Sequence, residues 1–149
     1  MADTYRLGPA RRAVNTLMAT LLRVGIGPPS SYLLTTTGRT SGRPRTTPVT
    51  LVEGADGRWL VAPYGAVGWV HNVRAEPTIT LRRGHSTQVR TAEEVDAATA
   101  GPVLQRYVRA VKITAPYFDA KADDPVDAFV EEAPRHPVFR VSDPAATDT

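Results

Sequence analysis

The chain has 149 residues, 42% of them hydrophobic and 22% charged, with a formal net charge of +3 and no cysteine. That length closes one core rather than two, and the missing thiols exclude disulfides, thiolate nucleophiles and cysteine-held zinc or iron–sulfur clusters. No apolar run approaches the ~20 residues a bilayer-spanning helix needs and no signal-peptide pattern opens the chain, so a cytoplasmic protein is expected.

Charge is unevenly placed. Residues 1–52 hold seven arginines against the single acid Asp3, whereas residues 91–149 hold six bases against eleven acids. The first part of the chain is therefore suited to meeting anions.

Residues 9–24 carry Val14, Leu17, Met18 and Leu21 at the spacing of one helical face. Gly25, Gly27 and the prolines at 28 and 29 stop the helix. This element, 8–25 at its widest, packs on the core or, because its charges are all basic, lies on an anionic membrane surface. Strands are expected at Tyr32–Thr37, Pro48–Glu53 and Arg58–Tyr64, the last two joined by a GADG turn. Residues 66–75 suit a short helix ended by Glu76 and Pro77. Thr78–Arg82 turns Ile79 and Leu81 inward and pairs with Thr87–Thr91 across Gly84 and His85. A helix with Leu104, Tyr107, Val108 and Val111 on one side is expected to begin near Gly101-Pro102, since proline is tolerated in a first turn. Another helix is expected in the acidic stretch Ala120–Ala133, followed by a last strand at Val138–Val141.

These elements imply a single domain over residues 1–142 and a disordered tail at 143–149. The fold class is α+β, a closed or half-open, mostly antiparallel barrel of about six strands. An N-terminal helix precedes it, and helices are inserted before the last strand. Strands that follow one another without crossover helices argue against a parallel nucleotide-binding sheet.

Residues 33–48, LLTTTGRTSGRPRTTP, stand out. Gly38 and Gly42 are four apart, and Arg39, Arg43 and Arg45 fall within seven residues. Surface arginine clusters are often only solvated turns. This one has no acidic neighbour, alternates with glycine and is stiffened by Pro44 and Pro48, so its guanidinium forks are pre-aimed at an anion. Interleaved aromatics and nucleic-acid motifs are missing, which argues against a nucleic-acid partner. A second stretch, Ala62–Asn72, brings a glycine-containing strand end to a helix N-terminus with free N–H groups. Tyr64 and Trp69 add flat surfaces there, although Trp69 suits a core equally well. A third, Ala115-Pro116-Tyr117-Phe118, precedes Arg135-His136-Pro137-Val138. His71, His85 and His136 are far apart and without evident carboxylate partners, so neither a metal site nor a hydrolytic triad is expected. His71 reads as a helix-surface residue. GxSxG, HExxH, Walker and GxGxxG patterns do not occur.

The hairpin closely resembles the LLTT-GR-K-S/T-G-x-PR-x-x-P signature of the deazaflavin-dependent nitroreductase family. Trp69–Pro77 resembles that family's W-x-x-N and L-x-A-N/E-P segments, and Tyr117 matches a tyrosine of its C-terminal substrate wall. The likeness covers residues 31–91 well and 113–141 loosely. Thr40 stands where the family often has lysine, and the loop before Trp69 is short. The resemblance implies a split β-barrel that binds coenzyme F420, with FMN or heme accounting less well for the arginine hairpin. The cofactor's phosphate and oligoglutamate tail would lie against Arg39, Thr40, Ser41, Gly42, Arg43 and Arg45. Its ring would be bordered by Thr47, Pro48, Ala62, Pro63, Tyr64, Gly65 and Gly68, with Trp69 and Asn72 closing one side. The implied activity is hydride transfer from reduced deazaflavin to an enone, quinone or nitro compound, with Tyr117, Tyr64 or solvent supplying a proton. Two other readings stay open: a carrier of F420 without chemistry, and a lipid-surface module using the N-terminal helix. The protein would act as a monomer or homodimer on a small-molecule substrate, in the cytoplasm or against the inner face of the membrane.

Overall fold

The computed structural model describes residues 9–27 and 30–143. The expected tail beyond Asp143, and residue 8 of the expected helix, lie outside the described residues. In chain order the elements are α1 (Pro9–Arg23), β1 (Ser31–Thr37), β2 (Pro44–Gly54), β3 (Gly57–Val61), α2 (Gly68–Ala75), β4 (Thr78–Arg83) and β5 (Ser86–Glu94). There follow α3 (Ala97–Ala110), a 3-10 turn at Lys112–Tyr117, α4 (Val126–Glu132), a second 3-10 turn at Ala133–Arg135, and β6 (Val138–Ser142).

The six strands form a closed antiparallel barrel in the order β1-β2-β3-β6-β5-β4, with β4 returning to β1 through Leu34↔Leu81. The expected barrel is thus closed rather than half-open, and its inserted helices lie between β5 and β6. Strand alternation builds two cores. Leu51, Leu60 and Phe139 turn into the barrel with Leu34, Ile79 and Leu81, while Val52, Trp59, Val61 and Val138 turn outward against α3 and α4. On β2, β3 and β6 both faces are therefore covered.

Of the boundaries that move from their expected places, three bear on the site. Strand β2 begins at Pro44 rather than Pro48, which puts Arg45 and Thr47 in the ladder opposite Thr36 and Leu34. Strand β3 ends at Val61, leaving Ala62–Tyr64 as a turn. Helix α3 starts at Ala97, capped by the Asp96 side chain, which accepts from Thr99 N at 2.8 Å, so Pro102 lies inside the helix. The aspartate cap outweighs the positional preference of proline. The apolar face of α1 is only partly covered. Leu22 is fully buried, but Val14 and Leu17 are 55% and 61% exposed. The helix is tied down at its far end, where Gly84 N donates to Leu22 O and Arg83 Nη2 donates to Gly27 O, each at 2.8 Å.

Leu60 has no exposed surface. Leu60→Ala is expected to cost about 2–5 kcal/mol of unfolding free energy in a urea titration, the usual range for a truncated core leucine.

Candidate active site

The arginine hairpin is a closed turn. Gly38 N donates to Arg43 O and Gly42 N donates to Gly38 O, both at 2.8 Å, while Arg43 N donates to Ser41 Oγ at 3.1 Å. Gly42 adopts φ +71°, where side chains are strained, and a Cβ on Gly38 would stand 2.7 Å from Ser41 Oγ. The Ser41 hydroxyl thus holds the turn from inside. Arg39 is aimed by α2. Its backbone N–H and its Nη1 both donate to Asn72 Oδ1, at 3.1 and 2.9 Å, and Nη1 also reaches Gly68 O at 3.3 Å. Asn72 is buried and donates from Nδ2 to Thr36 Oγ1 at 3.1 Å. One amide side chain therefore couples β1, the hairpin and α2. The guanidinium groups of Arg43 and Arg45 have no hydrogen-bond or ion-pair partner among the described residues.

Beside this hairpin opens a cavity of about 820 Å³. Of the residues singled out from sequence, Arg39, Thr40, Ser41, Arg45, Thr47, Pro48, Pro63, Tyr64, Gly68, Trp69 and Asn72 line it. No lining residue is acidic, so its field is positive. Gly42, Arg43, Ala62, Gly65 and Tyr117 do not line it. Gly42 and Arg43 face outward at the turn, Ala62 is buried beneath the wall, and Gly65 sits in the loop after Tyr64. Tyr117 stands behind Tyr64, their rings 4.8 Å apart and edge to face. Trp69 serves cavity and core together, tilted against Phe139 at 5.8 Å. The backbone N–H groups of Gly68 and Trp69 open α2 without a side-chain cap, an anion-friendly terminus on the same cavity.

Sequence reading missed two walls. Val14, Asn15 and Met18 of α1 form one; Tyr107, Val111, Ile113 and Thr114 of α3 and its following turn form the other. The α1 wall had a signal in the apolar stripe at 14–18. Tyr107 had none, because a tyrosine on an apolar helix face reads as core.

Behind Tyr64 and Tyr117 lies a buried pair that sequence spacing understated. His136 does have a carboxylate partner: its Nε2 is 2.7 Å from Glu132 Oε2, one helical turn earlier. Its Nδ1 donates to Pro63 O at 2.9 Å, and its ring stacks on Phe118 at 3.9 Å. Glu132 also accepts from Asp119 N and Ala120 N, at 3.0 and 2.8 Å through Oε1. The pair thus grips the segment before Tyr64 and the segment after Tyr117 at once. Burial pulls His136 below the ordinary imidazole range, against the opposing pull of Glu132.

Residues 10–133 match the sequence model of the F420H(2)-dependent quinone reductase family. The chain belongs to that family. Over 62 residues it is 39% identical to an F420H(2)-dependent quinone reductase of Mycobacterium tuberculosis, a match covering 39% of this chain and 42% of that relative. The chain thus matches about two fifths of the length of the curated relatives. A solved F420-H2 dependent reductase superposes with TM-score 0.54 and 29% identity, covering 76% of this chain and 95% of the other. A chain described as a domain-swapped dimer gives TM-score 0.58 at 26% identity, covering 89% and 96%. The split barrel expected from the hairpin signature is the fold of this family member.

In this family member, Glu132→Ala would leave two backbone N–H groups and one His136 nitrogen unpaired. It is expected to lower unfolding free energy by about 3–5 kcal/mol in denaturant titration.

Proposed function

We propose that this chain binds reduced coenzyme F420 and catalyses its oxidation by an electron-poor small molecule, a quinone before an enone or nitro compound. The observation that carries this reading is the cavity itself. Unpaired Arg45, aimed Arg39 and the open N-terminus of α2 meet on a mouth without acids, and behind them stand Val61, Pro63, Val67 and Trp69. That donor set suits a ligand with an anionic handle and a flat ring. Arg39 and Arg45 would hold the phosphate and carboxylate groups as charge-assisted forks. Thr40 would contribute a hydroxyl, and Pro48, Pro63, Gly68 and Trp69 would border the ring. When bound, F420H2 supplies a hydride from its deazaflavin ring.

The protein's part is to orient, to exclude water and to present the acceptor at reacting distance. Tyr64 is the aromatic face nearest that task. Tyr117, which does not reach the cavity, supports Tyr64 from behind, so the two tyrosines have unequal roles. A carrier without chemistry would need only the arginine mouth. The deep apolar compartment beyond it favours an enzyme. The exposed Val14 and Leu17 of α1, beside exposed Arg12, support a secondary reading in which the helix rests on an anionic lipid surface; flotation with anionic liposomes would check it. Cytoplasmic location and a monomeric or homodimeric state belong to the same proposal.

Fluorescence titration with F420 tests the mouth. Arg45→Ala removes no internal bond, so it should leave the melting temperature unchanged while weakening F420 binding about 10-fold, a typical charge-assisted contribution. Arg39→Ala should weaken binding at least as much. Unaltered F420 affinity in both variants would refute the assignment. Separately, F420H2 that stays reduced in the presence of the protein and a panel of quinones would favour the carrier.

A further inference from the structure

Tyr107 is 4% exposed on α3, embedded among Val52, Val61, Val103 and Val108, yet it is also a lining residue of the 820 Å³ cavity. Its hydroxyl makes no hydrogen bond to any described residue. It is not one of the sealed orphan atoms either; those are Arg58 Nη2 and Trp59 Nε1. The Tyr107 hydroxyl is therefore not sealed from its surroundings, and the cavity is lined by this residue. A polar group in such surroundings costs free energy unless something answers it.

No neighbouring lining residue is hydrogen-bonded to it. Val61, Pro63, Val111 and Ile113 are apolar at their side chains, and Thr114 turns its hydroxyl to Val111 O at 2.7 Å. The hydroxyl of Tyr107 is a donor built into an apolar wall and left for a ligand.

We propose that Tyr107 is the hydrogen-bond donor that holds the carbonyl oxygen of the acceptor substrate in this cavity. The proposal rests on the reading of the cavity as a reductase site and adds to it the substrate's anchor. Carbonyl oxygens accept and never donate, and a neutral phenol is the complementary partner. An ionic partner would not fit: this wall offers a carboxylate no cation, and a charge would be costly among these valines. Burial above all, with the neighbouring Tyr64 phenol acting in the same direction, holds the Tyr107 phenol well above its ordinary range. It keeps its proton at any working pH, and so acts as a donor that positions and polarises the oxygen. The proton that completes the reduction comes from elsewhere, with solvent sufficient to supply it.

The test is Tyr107→Phe, which keeps the ring and the packing. Trp69 lines the same cavity, so quenching of its fluorescence by a benzoquinone reports quinone binding to the cofactor-free protein. The variant is expected to raise the quinone dissociation constant about 10-fold, while F420 affinity and melting temperature stay within error. With F420H2 bound, kcat/KM for the quinone should fall at least as far. Reduction of a phenazinium dye, which has no carbonyl oxygen, should be unchanged. The wild-type dissociation constant should be flat between about pH 6 and 9, as a permanently protonated phenol requires. Weakened F420 binding would assign Tyr107 to the cofactor and overturn the proposal, as would equal losses on quinone and dye or unchanged quinone affinity. A wild-type protein that binds quinone through Tyr107 but oxidises no F420H2 would sink the reductase reading and leave the anchor standing.

Discussion

Strand β1 is the element on which the site depends. It is hydrogen-bonded to β2 on one side and β4 on the other, and its last residues feed directly into the arginine turn. A strand held along both edges has no freedom to swing, so the turn leaves the barrel in one direction only. Asn72 then fixes the angle by bonding to Thr36 on β1 and to Arg39 beyond it. The rigidity of a cationic loop is here a property of a closed ladder and one buried amide. Prolines contribute less than the sequence suggests, since Pro44 and Pro48 lie in β2 rather than in the turn.

The charge asymmetry of the sequence finds its physical meaning in this arrangement. Two arginines of the first half, Arg39 and Arg45, supply the cavity mouth, while four acids of the last third serve as buttresses. Glu132 is buried beneath the tyrosines, Glu94 forms a two-bond pair with Arg74, Asp119 meets Arg135, and Asp96 caps α3. Keeping these carboxylates away from the mouth leaves Arg45 unpaired. An acid there would compete with any anionic ligand.

Much of the barrel was legible because strand alternation and turn residues are local signals. Ile79 and Leu81 turn inward as their spacing requires, and Gly42 takes the left-handed backbone a tight turn demands. The hairpin could be read because glycine and arginine each have a narrow set of uses. What was hidden required contacts distant in sequence. Tyr107 is divided between a core and a cavity, and only the position of α3 on β2 and β3 reveals the second. The Glu132–His136 spacing was visible in the chain, but its importance lies in Pro63, more than seventy residues away. The beginning of α3 is set by the Asp96 cap, six residues before the proline that marks a helix start by local preference.

Closure of the barrel also governs how this chain can meet other proteins. All six described strands have a neighbour on both sides, but not along their whole length: β3 pairs only with Leu51–Gly54 of β2, and β6 only with Thr91–Glu94 of β5. Residues 45–50 of β2 and 86–90 of β5 therefore carry a ladder on one edge alone, and those two short stretches are where a strand from a peptide or a neighbouring molecule has backbone groups to pair with.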